Sequence, residues 1–241
     1  MALLPLFNRK LALLGSGYLV NSTDRHSHIL YGVDDGVRTK EESLAVLQYM
    51  EEQGVKEIWC TPHIMEDMPN STEFLKARFQ ELSSEYTGKI RLNLAAEYML
   101  DTVFESRLQA RDLLVMEDDI LLVETSTVAE PYNLIGTMQE ILGAGYRPLF
   151  AHPERYRFLG EKDYHKLFEM GVRFQLNLGS LTGYYGEAAR KKAEYLLKNG
   201  MYWCCGSDCH KLKSVAHQYS LKEISKNTLK LLLCLFSKTR L

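Results

Sequence analysis

The side chains best suited to chemistry here are five histidines and a set of carboxylates that recur at similar places along the chain. His26 and His28 form an HxH pair, and Asp34 and Asp35 follow in Gly32-Val33-Asp34-Asp35-Gly36. His63 stands in Cys60-Thr61-Pro62-His63, Glu97 in Ala95-Ala96-Glu97-Tyr98, and Glu124 after Ile120-Leu121-Leu122-Val123. His152 opens His152-Pro153-Glu154-Arg155, and Asp208 and His210 bracket Cys209. On an extended strand, residues two apart share a face, so His26 and His28 can converge on one ion. Neutral imidazole with carboxylate suits Zn, Mn or Fe. One histidine at a strand end is commonly a capping or packed residue; a whole set in phase with the strands points to a divalent-cation centre.

The elements that must position this set read as alternating strands and helices. The pattern predicts strands at Ser27–Leu30, Glu57–Cys60, Ile90–Ala95, Ile120–Val123, Pro148–Ala151, Arg173–Leu176 and Met201–Cys204. Helical periodicity covers Lys40–Gln53, Thr72–Tyr86, Thr102–Arg111, Tyr132–Ala144, Lys162–Met170 and Gly186–Asn199. Gly54, Gly145, Gly171 and Gly200 each follow a helical run and precede a strand, where a helix-ending glycine belongs. Repeated units of this kind predict an α/β fold with a parallel sheet, either one barrel or an open doubly wound sheet. In a barrel the strand C-termini gather at one mouth, where active sites are built, and the histidines lie at those ends.

The chain has 241 residues, 46% hydrophobic and 25% charged, enough for a sizeable core without disulfides or structural metal. A metal bound here therefore serves chemistry rather than folding. The net charge of −2, with no basic run, argues against a nucleic-acid partner. Five cysteines without paired spacing read as reduced thiols of a cytoplasmic protein. Residues 1–20 are apolar but split by Arg9 and Lys10, too short for a membrane span, and read as an extension ahead of a domain at 21–241. The apolar run Leu229–Phe236 reads as the buried face of a last helix.

The strings Asp24-Arg25-His26-Ser27-His28-Ile29-Leu30, Asp34-Asp35-Gly36, Thr61-Pro62-His63, His152-Pro153-Glu154-Arg155-Tyr156 and Ser207-Asp208-Cys209-His210 resemble the polymerase-and-histidinol-phosphatase (PHP) superfamily. More narrowly they resemble its bacterial manganese-dependent protein-tyrosine phosphatases of capsule and exopolysaccharide clusters. The resemblance implies a single distorted seven-stranded βα-barrel and a trinuclear centre. His26, His28, Glu97 and Asp208 would hold the first ion, with Glu97 bridging to a second completed by Glu124 and His152. Asp35, His63 and His210 would hold the third, with Mn2+ favoured over Fe, Zn or Mg. Arg155 would grip the substrate phosphate, and Asp208 and His210 would complete the catalytic set. The implied substrate is a phosphotyrosine protein, a bacterial tyrosine kinase of polysaccharide assembly. Ala95-Ala96-Glu97-Tyr98 departs from the commoner glycine-containing form, and Arg25 replaces an apolar residue.

Phosphate monoesters hydrolyse very slowly unaided, so such an enzyme must supply a nucleophile and neutralise charge. The expected route is attack by a metal-bridging hydroxide with no phosphoenzyme. Arginine's planar fork suits two phosphate oxygens, which lysine cannot match. Several alternatives stand beside this reading. Arg155 could merely pair with Glu154, Asp34 suits a turn role, Cys209 could be a stray ligand, and Arg25 could reach solvent past the strand edge. A small phosphomonoester such as histidinol phosphate is a second substrate class, and a non-catalytic metal domain a third reading. Cys234 and Arg240 satisfy the C-x5-R spacing of cysteine-based phosphatases, but the segment has no glycine and no following helix to wrap a phosphate.

Overall fold

The computed structural model describes residues 10–238. Its strands are β1 (Thr23–Ser27), β2 (Glu57–Cys60), β3 (His63–Ile64), β4 (Arg91–Leu94), β5 (Glu97–Met99), β6 (Ile120–Glu124), β7 (Arg147–Ala151), β8 (Arg173–Asn177) and β9 (Tyr202–Gly206). The helices are α1 (Lys40–Glu52), α2 (Thr72–Glu85), α3 (Thr102–Ala110), α4 (Leu134–Gly143), α5 (Glu161–Glu169), α6 (Leu178–Leu181), α7 (Glu187–Lys198), α8 (Leu212–Ser220) and α9 (Lys226–Lys238). All ladder pairings between these strands are parallel, in the orders β1-β2-β4 and β3-β5-β6-β7-β8-β9. The α/β class read from the sequence is the one present. No helix among the described residues is long and apolar enough to cross a membrane.

The expected single ring of pairing is divided between two sheets because two of the predicted strands, Glu57–Cys60 and Ile90–Ala95, are each followed after a short break by a further strand the pattern does not predict, β3 and β5. Thr61 and Pro62 separate β2 from β3, and proline has no N–H to donate to a ladder. Ala95 and Ala96 separate β4 from β5. Backbone bonds from Ala95 N to Cys60 O (2.9 Å) and from Glu97 N to Pro62 O (3.1 Å) carry the pairing across both breaks. At the other limit, β1 and the chain after β9 meet through Asp208 N to His26 O (2.8 Å) and His28 N to Cys209 O (3.0 Å).

Strand alternation sorts the apolar residues into two cores. On β6, Leu121 and Val123 face the main core beneath the helices, whereas Ile120 and Leu122 join a smaller inner cluster. That inner cluster includes Ala95, Leu149, Ala151 and Cys204 against Trp59 and Trp203. The helices cover the outer face in the usual way. In α1 the buried residues Ser43, Val46, Leu47 and Met50 form one stripe, and Thr39 with Glu42 closes a capping box at its start. Gly54, Gly145, Gly171 and Gly200 all have positive φ, as their helix-ending positions require.

The first predicted strand needs correction. It runs over Thr23–Ser27, whereas Ile29 and Leu30 are buried in a loop that turns back through Val37 N to His28 O (3.1 Å). Burial of an apolar pair gave a strand-like signal without a ladder. Ahead of β1, Leu11 pairs with Ile224, and Leu13 and Tyr18 are buried. In α9, Leu232 and Leu235 are buried and Leu233 is exposed.

Candidate metal centre

The sequence-predicted ligands lie near or beyond the C-terminal ends of β1, β2, β4, β6, β7 and β9, with His63 and Glu97 opening the short strands β3 and β5. His26 is in β1 and His28 just beyond it; His63 opens β3, in register with Glu97 of β5. Glu124 closes β6 as the next inner-face residue after Ile120 and Leu122. His152 follows β7, and Asp208 and His210 follow β9. His152 and Asp208 both have left-handed backbone, at φ 35° and 53°. Non-glycine residues held there cluster at functional sites.

The HxH pair meets as two-residue spacing predicts, His26 and His28 flanking Ser27, which bridges Cys209 in parallel; the irregularity of β1 lies just before them. The register of β1 against β2 shifts between Asp24 and Ser27. Consecutive residues Arg25 and His26 therefore both reach the face of β8 that carries Arg173 and Gln175. Arg25 and Arg173 both lie over the Trp203 ring (4.7 and 4.9 Å), while His26 meets Gln175. Arg25 also pairs with Glu117 (2.8 Å), and its side chain is only 11% exposed rather than reaching solvent. Two glycines permit the close approach. A Cβ on Gly206 would stand 2.4 Å from His26 Cβ, and one on Gly36 would stand 2.2 Å from His28 O.

The nine groups converge. His26 Nε2 lies 3.0 Å from His28 Nε2 and 3.0 Å from Glu97 Oε2. Asp208 Oδ1 is 3.6 Å from His26 Nε2 and 3.4 Å from His28 Nε2. His152 Nε2 lies 3.2 Å from Glu97 Oε1 and 3.6 Å from Glu124 Oε2. His63 presents Nδ1 to Glu124 (3.1 Å) and Glu97 (3.3 Å), and Nε2 to Asp35 (3.6 Å). His210 Nε2 is 3.3 Å from Asp35 Oδ1. Among the described residues, three sets have ligand atoms all within 4.8 Å of one another: His28, Asp35, His63 and His210; His26, His28 and Asp208; and His63, Glu97 and Glu124. His63 thus faces two sets, one with each ring nitrogen.

Neighbouring groups fix the tautomers. His26 Nδ1 donates to Gln175 Oε1 (2.9 Å), and His28 Nδ1 donates to Asp34 Oδ2 (2.8 Å). Both bonds leave Nε2 with its lone pair aimed inward, the arrangement typical of metal-binding histidines. His210 Nδ1 donates to the Asp208 carbonyl oxygen (3.0 Å), with the same consequence. Asp34 also accepts from Gly36 N (3.0 Å), so it serves the turn and orients His28 at once.

Burial opposes charge on these groups, yet they charge one another. Burial would lower His26, but Glu97 and Asp208 override it and raise it to about 9. Burial would raise Glu97, but His26, His152 and His28 hold it well below the usual carboxylate range. Asp208 is likewise held low, against burial, by His26 and His28. Asp35, hydrogen-bonded by His210, is lowered to about 2. Glu97 Oε1 and His63 Nδ1 are buried without a hydrogen-bond partner. Orphaned buried polar atoms cost about 1–3 kcal/mol each. Orphaned donor atoms, inward lone pairs and mixed imidazole–carboxylate chemistry together fit divalent cations.

Several residues that sequence reasoning missed complete the site. Gln175 also accepts from His152 N (3.2 Å), so one amide oxygen holds two ligand-bearing segments. Asn177 Nδ2 donates to Asp208 Oδ2 (2.8 Å), and Tyr185 lies beneath the Arg155 guanidinium (4.4 Å). Polar residues two apart in Arg173-Phe174-Gln175-Leu176-Asn177 were the available signal, an inner polar face on a buried strand. Arg155 does not pair with Glu154. Its Nη1 donates to Asp208 Oδ2 (2.7 Å), while buried Glu154 accepts from Asn177 N and the Tyr202 hydroxyl (2.9 Å each). Cys209 is buried with its thiol pushed up by desolvation, and it belongs to none of the three ligand sets. Cys234 is exposed in α9, and Arg240 lies outside the described residues.

Comparison with known proteins agrees with this geometry. The family model for capsular polysaccharide synthesis, CpsB/CapC, matches residues 22–228. The chain is 31% identical over 207 residues to the tyrosine-protein phosphatase CpsB of Streptococcus pneumoniae, covering 79% of this chain and 84% of the relative. It is 28% identical over 209 residues to the putative tyrosine-protein phosphatase CapC of Staphylococcus aureus, covering 83% and 81%. A chain from the crystal structures of YwqE of Bacillus subtilis and CpsB of Streptococcus pneumoniae, described as unique metal-dependent tyrosine phosphatases, matches with TM-score 0.79 at 23% identity, covering 90% of this chain and 92% of that one. The chain therefore belongs to the CpsB/CapC family of capsular polysaccharide synthesis.

Proposed function

We propose that this chain is a metal-dependent phosphatase that hydrolyses phosphotyrosine on protein, its substrate being a tyrosine kinase of capsule assembly. The observation that carries this reading is the convergence of five imidazoles and four carboxylates beside an arginine at one rim. The relatives' names as tyrosine-protein phosphatases support the substrate class. His26, His28, Glu97 and Asp208 would hold one cation, Glu97, Glu124 and His152 a second, and Asp35, His63 and His210 a third. The position of His63 Nδ1 supports a share in the second site as well. Mn2+ is the favoured ion, with Fe, Zn or Mg as substitutes. Divalent cations there lower the pKa of water towards neutrality and neutralise phosphoryl charge.

The chain's own residues do the rest. Arg155 keeps Nη1 on Asp208 Oδ2 and is stacked on Tyr185, which leaves its remaining N–H groups to bind phosphate oxygens. Asp208 thereby links the arginine to the ligand set, because its Oδ1 faces His26 and His28. The orientation of His210, with Nδ1 bonded to its own loop, favours a ligand role over protonation of the leaving group. A tyrosyl leaving group has pKa near 10, so it needs less protonation than an alkyl oxygen. Residues 21–241 form the catalytic unit in this reading, residues 1–20 an extension, and the buried cysteines Cys60, Cys204, Cys205 and Cys209, outside any disulfide, suit the cytoplasm. The test is hydrolysis of a phosphotyrosyl peptide and of histidinol phosphate, each with Mn2+ and with EDTA. Peptide turnover that EDTA abolishes is expected. Activity that survives EDTA, or preference for histidinol phosphate, overturns the reading.

A further inference from the structure

Beside the metal centre runs a groove of about 370 Å3, lined among others by Thr127, Arg155, Arg157, Tyr185, Ala188 and Lys192. Arg155 joins the two regions, since the guanidinium that lines the groove also touches Asp208 at 2.7 Å. The groove is positively charged although the whole chain carries −2. It holds two arginines and a lysine, and its one lining acid, Glu154, is buried with its oxygens taken by Asn177 N and the Tyr202 hydroxyl. Lys192 is committed to the carbonyl oxygens of Tyr156 (2.6 Å) and Leu159 (2.7 Å). Glu187, at the start of α7, pairs with Arg190 (2.7 Å). Arg157 is different: it is exposed, and among the described residues it makes no ion pair.

We propose that this groove seats an acidic side chain next to the phosphotyrosine of a protein substrate, and that Arg157 is the residue that reads it. The proposal rests on the phosphatase reading above and narrows its substrate to phosphotyrosine flanked by Asp or Glu. With Arg155 on the phosphate and Lys192 spent on backbone carbonyls, Arg157 is the cation left for a second anion of the same peptide. An arginine suits a carboxylate because its fork can bond both oxygens.

The experiment compares two phosphotyrosyl peptides that differ only in Asp against Asn at the flanking positions. They are assayed on the full chain with Mn2+ and on Arg157→Ala, with p-nitrophenyl phosphate as the peptide-free control. The wild type should favour the Asp peptide roughly two- to fivefold in kcat/KM, the range for an exposed ion pair. Arg157→Ala should equalise the peptides, leave p-nitrophenyl phosphate turnover unchanged, and act through KM rather than kcat. The preference should shrink in about 0.5 M salt, where exposed charges are screened. Binding of the same peptides carrying a non-hydrolysable difluorophosphonate in place of phosphate repeats the comparison without turnover. If neither peptide is hydrolysed, the phosphatase reading falls, and the binding arm still decides the groove. Equal affinity for both peptides in the wild type, or an Asp preference that survives Arg157→Ala, overturns the proposal.

Discussion

Gln175→Leu tests whether the inner polar face of β8 sets the geometry of the centre. The leucine has similar bulk, so the substitution removes hydrogen bonds more than volume. Gln175 Oε1 accepts from His26 Nδ1 at 2.9 Å and from His152 N at 3.2 Å, and both donors lie in fully or nearly fully buried residues. Each stranded donor costs about 1–3 kcal/mol, so the two together cost roughly 2–6 kcal/mol. In a chain of this size, where 1 kcal/mol shifts Tm by about 2–4 °C, that lowers the apparent Tm by about 4–24 °C. Removing such an orienting partner also weakens metal binding about 10- to 100-fold, because the ring loses its fixed tautomer. Gln175→Glu keeps an acceptor for both donors and should recover most of the metal affinity. The assays are thermal unfolding in EDTA and Mn2+ titration in competition with a chelating dye. If Gln175→Leu binds Mn2+ as the wild type does and melts within a degree of it, the argument that this amide organises the site is wrong.

Arg155→Ala should lower kcat/KM for a phosphotyrosyl peptide about 10²–10³-fold, and Arg155→Lys should restore only part, because it keeps the charge but not the fork; equal rates for lysine and arginine would refute bidentate phosphate binding. Metal affinity should rise with pH. In the metal-free chain Glu97 and Asp208 raise His26 to about 9 despite its burial, so at about pH 7.5 its proton must be displaced, costing roughly 2 kcal/mol, or about 30-fold in apparent affinity. Chelator-competition titrations from about pH 7 to 9.5 should climb and flatten near 9, and a flat profile sinks this. For the metal-free chain the sign is opposite. The raised pKa gives His26 a stabilising contribution that is full below about 6.5 and lost as pH rises through about 9. Cys234→Ser and iodoacetamide treatment should leave p-nitrophenyl phosphate turnover unchanged, since Cys234 sits on α9 and burial pushes Cys60 and Cys205 up to about 12; loss of activity would favour thiol chemistry.

The strand–helix alternation was legible because each signal was local. Glu57–Cys60 was placed correctly, and helix-ending glycines marked four of the strand starts. What escaped depended on partners elsewhere in the chain. Ile29 and Leu30 look like strand residues, but only the pairing of Thr23 with Glu57 shows that β1 starts earlier. The splits at Pro62 and Ala96 follow from which strand lies alongside, and α8 carries little periodic signal because its buried face is short, Val215 to Tyr219. The nine converging side chains stood out as candidates by residue type and phase, and the resemblance assigned them to ions. The groups that orient them are less legible: the alternating polar residues Arg173, Gln175 and Asn177 mark an inner face but not its partners, and Tyr185 meets Arg155 only through folding.

The contacts that join the first and last strands are also the contacts that carry ligands. Asp208 N bonds His26 O at 2.8 Å, Ser207 N bonds Asp24 Oδ1 at 2.8 Å, and His28 N bonds Cys209 O at 3.0 Å. Left-handed backbone at His152 and Asp208 costs about 1–3 kcal/mol each and persists only where surrounding structure holds it. The main core lies outside the strands, so the rim gains little apolar burial to offset that strain. Backbone bonds across the seam, the Asp208–Arg155 pair and the mutual charging of the cluster supply the difference. Ligand geometry and the junction of β1 with β9 are therefore one set of interactions, and a change that loosens the seam displaces His26, His28 and Asp208 together.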